Sequence, residues 1–144
     1  DQVAVIDGSS YGYQSPGCDK SPTAIGLLTR MYLGGERNDP QLQGGIRRLV
    51  EWGPSKTDMY FNFYATQTML HHGGADWERW NLELREHLLA EQELDGHAAG
   101  SWFFSDQHAY AGGRLYTTAV CALILEVYYR HLPLYGETTV GQGY

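Results

Sequence analysis

Apolar residues along the chain fall into five helical runs, broad and narrow by turns. In the first, Ile25, Leu28 and Tyr32 recur at spacings of three and four, with Leu27 and Met31 widening the stripe. That is the period of a helix with one face buried. Ser21-Pro22 predicts its start, since proline suits the first helical position, and Gly34-Gly35 predicts its end. Asp39-Pro40 opens a second run in the same way; Leu42, Ile46, Leu49 and Val50 form its narrower stripe, and Gly53-Pro54 closes it. The third, from about Asp58 to His72, carries Tyr60, Phe61, Phe63, Tyr64, Met69 and Leu70 over most of its circumference, which predicts an inner helix. The fourth, from about Asp76 to Glu93, sets Trp77, Trp80, Leu84 and Leu88 on one face and Glu78, Arg79, Glu83, Arg85 and Glu86 elsewhere. It reads as an outer, half-exposed helix. The fifth, Gly113 to Arg130, is again nearly all apolar: Tyr116, Val120, Leu123 and Val127 lie on one line, Cys121, Ile124 and Tyr128 on the next, and Pro133 closes it.

Outside these runs the pattern fails. Residues 1–20, with Gly8, Gly12, Gly17 and Pro16 among Tyr11 and Tyr13, read as a Gly-rich entry loop. Within it Val3–Ile6 is either a short extended piece or the frayed end of an element cut away. Residues 132–144 have no periodicity and read as an irregular tail. In each broad run a small residue stands four positions before a large apolar one: Thr23-Ala24 with Leu28, Ala65 with Met69, and Thr118-Ala119 with Leu123. This is a repeat, and the small residue is expected to let neighbouring inner helices approach closely. The pattern therefore predicts one all-α domain over residues 1–144, about five helices in antiparallel hairpins, with inner and outer members stacked side by side in a curved array.

Composition adds boundaries to this picture. A chain of 144 residues is one domain by length and buries roughly two thirds of its unfolded surface. With 42% hydrophobic and 19% charged residues it is globular rather than disordered. A net charge of −7 argues against nucleic acid or an anionic membrane surface as partner. The longest apolar run, Ala119 to Leu125, is too short to span a bilayer; no targeting segment is visible, so a soluble chain is expected, with no compartment indicated. The chain opens at Asp1 without a methionine, which reads as a processed product or an excised piece. Cys18 and Cys121 set no framework; Cys121 reads as a small core residue, with a disulfide to Cys18 as the alternative.

The joint between the fourth and fifth runs carries the most specific motif. In Gln92-Glu93-Leu94-Asp95-Gly96-His97-Ala98-Ala99-Gly100-Ser101-Trp102, a glutamine that ends one helix precedes a Gly-x-Trp. This resembles the QW repeat of squalene–hopene cyclases and their relatives. The surrounding runs 58–74, 77–81 and 112–135 are similar to bacterial proteins of the prenyltransferase and squalene-cyclase repeat family. Ser15-Pro16-Gly17 with Thr23-Ala24-Ile25-Gly26-Leu27-Leu28 matches the preceding repeat. The resemblance covers about residues 8 to 135 and implies a segment of an (α/α) toroid, inner helices forming a barrel and outer helices surrounding it. One departure stands out: the stretch between Gln92 and Gly100 is longer than that family's usual spacing. Either Asp95-Gly96 takes the usual turn and Ala98-Ala99-Gly100 is an insertion, or the tryptophan sits elsewhere. Gln92, Asp95, Gly96, Gly100 and Trp102 are thus read as structural: the amide can bond free backbone groups at helix ends, and the indole can pack over it.

The chemistries associated with that family lack their residues in this stretch. Cyclase chemistry uses an Asp-rich acid motif, and here Asp39, Asp58, Asp76, Asp95 and Asp106 each stand alone. Protein prenyltransferase chemistry needs zinc held by Asp, Cys and His, and neither cysteine has such partners at suitable spacing. The Cys-Gly-Glu-Gln of thioester-forming toroid domains is absent. No metal and no cofactor are therefore expected. Weaker candidates remain. Asp106 and His108, with His97 earlier in the same loop, read as a proton-transfer pair, a metal half-site or solvated loop polars. His71-His72 reads as a cationic decoration of a helix end. Asp58 is a third catalytic candidate, and Tyr60, Tyr64, Phe103, Tyr110 and Tyr116 are candidates to line a site for a hydrophobic small ligand, or else are core.

Two functions follow. The chain is read first as a non-catalytic or incomplete toroid segment serving binding or assembly through apolar inner helices, its partner being the remainder of a parent chain or another copy. The alternative is part of an isoprenoid-processing enzyme whose acid motif lies outside these residues.

Overall fold

Asp39 and Asp58 show how closely local chemistry dictates where these helices begin. Asp39 precedes Pro40, and its carboxylate accepts the backbone N–H of Gln41 at 2.8 Å. Asp58 accepts that of Phe61 at 2.9 Å. Each fills an amide that a helix start leaves unpaired. The computed structural model describes residues 4–5, 8–130 and 134–135, without the side chain of 128, and holds five α-helices: α1 Lys20–Tyr32, α2 Pro40–Trp52, α3 Met59–His72, α4 Gly74–Glu91 and α5 Gln107–Arg130. The expected closure at Pro133, most of the tail and two ends of the Val3–Ile6 piece lie outside the described residues. Among those described, strand-like pairing is confined to one bridge between Ala4 and Tyr11. None of the described helices is long and apolar enough to cross a membrane.

The all-α expectation of about five helices is met, and its ends shift by small amounts. α1 starts at Lys20, just ahead of Ser21-Pro22; Asp19 holds the cap position without a side-chain capping bond, its carboxylate accepting the Tyr13 N–H at 3.2 Å. The fifth helix differs more. Gly113, expected as its start, is a break (φ 65°, ψ −164°) inside Gln107–Arg130, a conformation that favours glycine. A short helical piece over 107–112 precedes it, started by Asp106.

α3 lies in the middle. Lys20 reaches the Phe61 ring at one end and Tyr32 meets His71 at the other, so α1 runs parallel to α3. The Trp80 indole donates to Thr66 Oγ1 at 3.1 Å while His87 lies 2.9 Å from the Lys56 carbonyl, so α4 runs antiparallel to α3. The α1, α3 and α5 helices form an inner row, with α2 against α1 and α4 against α3. That is the alternation the broad and narrow stripes predict. The α1–α3 approach is close: Thr68 Oγ1 sits 3.2 Å from the Ala24 carbonyl, and Thr23, Ala24, Ala65 and Met69 are buried. α2 packs as tightly on α1, since a Cβ on Gly45 would fall 2.3 Å from Leu27 Cδ2.

Two hydrophobic clusters result. The first joins α1, α2 and α3 through Leu27, Met31, Leu42, Ile46, Leu49, Phe61 and Met69, with Tyr11 closing it from the entry loop. The second joins α3, α4 and α5 through Met59, Leu84, Leu88, Trp102, Phe104, Cys121 and Ile124. The third small–large pair departs from the repeat. On α5 it is Thr117, Cys121, Ile124 and Val127 that are buried, while Ala119 is exposed and Leu123 only partly covered. Trp77 is partly buried, as an outer-helix residue.

The histidine pair at the end of α3 does not decorate a helix pole. His71 is 2% exposed; its Nδ1 accepts the Leu134 N–H at 3.3 Å, so its Nε2 carries the proton toward the Tyr32 hydroxyl 3.2 Å away. Burial, with Arg37 adding to it, lowers the pKa of His72 despite the nearby Asp76.

Candidate functional site

Tyr60 in the first turn of α3 meets His108 in the first turn of α5, and Thr66 farther along lines one cleft with Ile124 and Leu125, so the two helices run parallel and the loops before them fix what is presented at this end. Ahead of α3, the buried Asn62 side chain accepts the Ser55 N–H and donates to the Ser55 carbonyl, both at 2.8 Å, while Ser55 Oγ accepts the Asp58 N–H at 3.0 Å. Ahead of α5, Asp106 Oδ1 accepts the Ala109 N–H at 2.7 Å. Both aspartates are thus helix caps with one oxygen committed.

Around them stand Tyr60, Tyr64, His108 and Tyr116. Tyr60 meets Tyr64 edge to face at 5.0 Å and stacks on His108 at 4.4 Å; His108 lies 6.2 Å from the Tyr116 ring. Asp58, Tyr60, Tyr64, Asp106 and Tyr116 are half-buried and His108 is exposed. Two polar atoms in this group, Asp106 Oδ2 and the Tyr116 hydroxyl, are fully buried with no hydrogen-bond partner, a condition that costs free energy unless something pairs with them.

The electrostatics follow from that crowding. Burial, and then the carboxylates of Asp106 and Asp58 and the two other tyrosines, push the Tyr116 phenol up to about 12. Burial, and then its hydroxyl contact with Tyr64 and the charge of Asp58, raise Tyr60 as well. Both phenols hold their protons at neutral pH. The Cys121 thiol is also pushed up to about 12, by burial first and Asp106 second, so it is a packing residue and no nucleophile. Cys18 is exposed and both cysteines are free; the disulfide alternative is not formed.

Of the candidate residues, then, Asp58, Tyr60, Tyr64, Asp106, His108 and Tyr116 are brought together. Phe103 and Tyr110 are not. Phe103 is 48% exposed under the Arg114 guanidinium, and Tyr110 is 78% exposed, its hydroxyl 2.8 Å from Ser105 Oγ. His97 is also exposed. Among the described residues no group of three or more His, Cys, Asp or Glu is placed to hold a metal ion. What the sequence pattern hides is Asp106 as a helix start, because Gly112-Gly113 masks the short helix that follows it.

The Gln92–Trp102 joint is built differently from either expected arrangement. Glu93 N–H donates to the Ser101 carbonyl at 2.9 Å, and Gly100 N–H donates to the Glu93 carbonyl at 2.7 Å. This pair pinches off residues 94–99 as an excursion and brings Gly100-Ser101-Trp102 directly beside Gln92-Glu93. Asp95 and Gly96 lie on the excursion, exposed, with no side-chain cap at Asp95. The Gln92 amide donates to the Gly100 carbonyl at 3.0 Å. It is the buried Trp102 indole that reaches a helix end, donating to the Leu88 carbonyl at 2.6 Å. Thr118 Oγ1 accepts the Trp102 N–H at 3.2 Å, tying the joint to α5. Set against protein-family models, curated proteins and solved structures, the chain matches none of them.

Proposed function

We propose that this chain is a segment of an α/α helical array of the prenyltransferase and squalene-cyclase repeat kind, and that it works by binding or assembly through its inner row. One observation carries the reading. A stripe at helical spacing along α5, made of Leu115, Ala119, Ala122 and Glu126, is exposed throughout, with Leu115 at 83%. α3, in the same row, is covered on both flanks. An inner helix with a mostly apolar outer flank is the place where a further inner helix docks, from the rest of a parent chain or from a second copy. The Gln92–Gly100–Trp102 clamp and the first two small–large pairs, on α1 and α3, support the family part of the reading.

Light scattering across a concentration series tests it. Self-association is expected, and Leu115→Glu or Ala122→Glu is expected to shift it toward monomer with unchanged helical circular dichroism. A chain that stays strictly monomeric and stable whatever charge this stripe carries overturns assembly with a second copy.

The second reading, a part of an isoprenoid-processing enzyme with its acid motif elsewhere, draws on the cluster of Tyr60, Tyr64 and Tyr116 beside Asp58 and Asp106. Its test is isoprenoid turnover that appears only when an Asp-rich segment is supplied together with this chain.

A further inference from the structure

We infer that the cluster between the starts of α3 and α5 is a binding site for an organic monocation that carries N–H donors, such as a primary alkylammonium. Asp106 Oδ2 and the Tyr116 hydroxyl are its anchor, and the rings of Tyr60, Tyr64 and His108 are its walls.

Three observations select that chemistry. The first is the pair of buried, partnerless atoms. A carboxylate oxygen only accepts, and a phenol oxygen has lone pairs to accept with, so cationic N–H donors are the groups that satisfy such atoms through short, charge-assisted bonds. The second is charge. Among the described residues neither Asp58 nor Asp106 is paired with a cationic side chain. Each caps a helix start whose half-positive pole offsets about half an elementary charge, which leaves the pair with roughly one negative charge to balance. The third is the aromatic lining. Ring faces not already covered by a neighbouring ring attract a cation, and the same rings offer apolar surface to the alkyl chain attached to it. A metal ion suits this place less well, since no third ligand of the His, Cys, Asp or Glu kind joins Asp58, Asp106 and His108. The exposed His108 ring lies against both Tyr60 and Tyr116, on the solvent side of the cluster.

The site is separate from the outer stripe of α5, so it stands or falls independently of assembly. The test is a titration of the whole chain with n-butylammonium chloride at constant ionic strength, read from the ring signals of Tyr60, Tyr116 and His108 by nuclear magnetic resonance, beside a titration with 1-butanol. Saturable one-to-one binding is expected, at least about tenfold tighter for the ammonium than for the alcohol, a difference of about 1.4 kcal/mol. Asp106→Asn keeps the helix cap, because asparagine caps as well as aspartate, and is expected to weaken ammonium binding about tenfold or more. Asp95→Asn, on the exposed excursion, leaves it unchanged. If Asp106→Asn does not fold, Tyr116→Phe gives the same readout by removing the second anchor. Equal affinity for ammonium and alcohol, shifts that never saturate, or unchanged affinity in a folded Asp106→Asn or Tyr116→Phe chain overturns the site.

Discussion

The two seams of the inner row are made by the same kind of helix pair and filled by opposite kinds of residue. Between α1 and α3, small residues let the backbones meet: Thr23, Ala24 and Ala65 are fully buried, and Thr68 bridges to the Ala24 carbonyl. Leu27, Phe61 and Met69 fill what remains, and α2 and Tyr11 seal it. Between α3 and α5 the midsection is equally apolar, through Met59, Cys121 and Ile124. Its leading end instead holds two carboxylates, three phenols and an imidazole, with two buried polar atoms left unpaired. Among the described residues no further helix packs on the far flank of α5, whereas α3 has one on each side. Proteins place unsatisfied groups where function requires them and compensate elsewhere. The first seam reads as a structural element; the second carries the features on which the proposed binding and assembly rest.

The largest effect that sharpens this contrast comes from truncating one leucine on each side of it. Leu27 is 0% exposed in the sealed seam and Leu115 is 83% exposed on the open flank. Leu27→Ala is expected to cost about 2–5 kcal/mol, the transfer and cavity terms together. Leu115→Ala in the monomer should change stability by no more than about 0.5 kcal/mol. Urea denaturation of both variants checks the pair. Comparable losses would mean that the open flank is covered after all and that the contrast between the seams is wrong.

A smaller effect probes the joint that secures the second half. Trp102→Phe keeps most of the ring in its buried position but removes the indole N–H, leaving the Leu88 carbonyl without its 2.6 Å partner. A buried acceptor left unpaired costs about 1–3 kcal/mol. Gln92→Ala should cost less, about 0.5–1.5 kcal/mol, because its bond to the Gly100 carbonyl is exposed. If the glutamine proves the more costly loss, the clamp works through the loop and not through the helix end.

Most of the architecture was legible in the sequence because it rests on local rules. The Asp39-Pro40 start and the Asp58 cap need only neighbouring residues, and the breadth of each apolar stripe sets inner against outer position. The excursion over 94–99 was not legible: the pairing of Glu93 with Ser101 depends on Trp102 being held by Leu88 and Thr118, which are distant in sequence. The candidate site was half legible. Asp58, Asp106, His108 and the tyrosines could be singled out by type, but their convergence needs α3 and α5 to lie parallel and Asp106 to start a helix before the Gly113 break. Phe103 and Tyr110 belong to the same list by composition and are separated from the cluster by that geometry. His71 shows the limit from the other side, since its burial and its contacts with Tyr32 and Leu134 come from residues distant in sequence.

The smallest effect concerns pH, and it isolates the polar end of the second seam. The Tyr116 phenol is held up to about 12 in the folded chain, chiefly by burial and then by Asp106, against 10.0 for an ordinary tyrosine. Below pH 10 both states keep the proton, and the contribution of this group to stability is fully present. As pH rises from 10 toward 12, the unfolded chain releases the proton while the folded chain retains it, so folding loses free energy through that window. Tyr60, raised in the same direction, adds to the slope. Urea midpoints at pH 9 and at pH 11.5 are therefore expected to differ less in Tyr116→Phe than in the parent chain. At pH 7 the same substitution should leave stability unchanged or raise it by up to about 1 kcal/mol, because it removes a buried hydroxyl that has no partner. A substantial loss at pH 7 would show instead that the hydroxyl is paired within the folded protein. The second seam would then be as complete as the first.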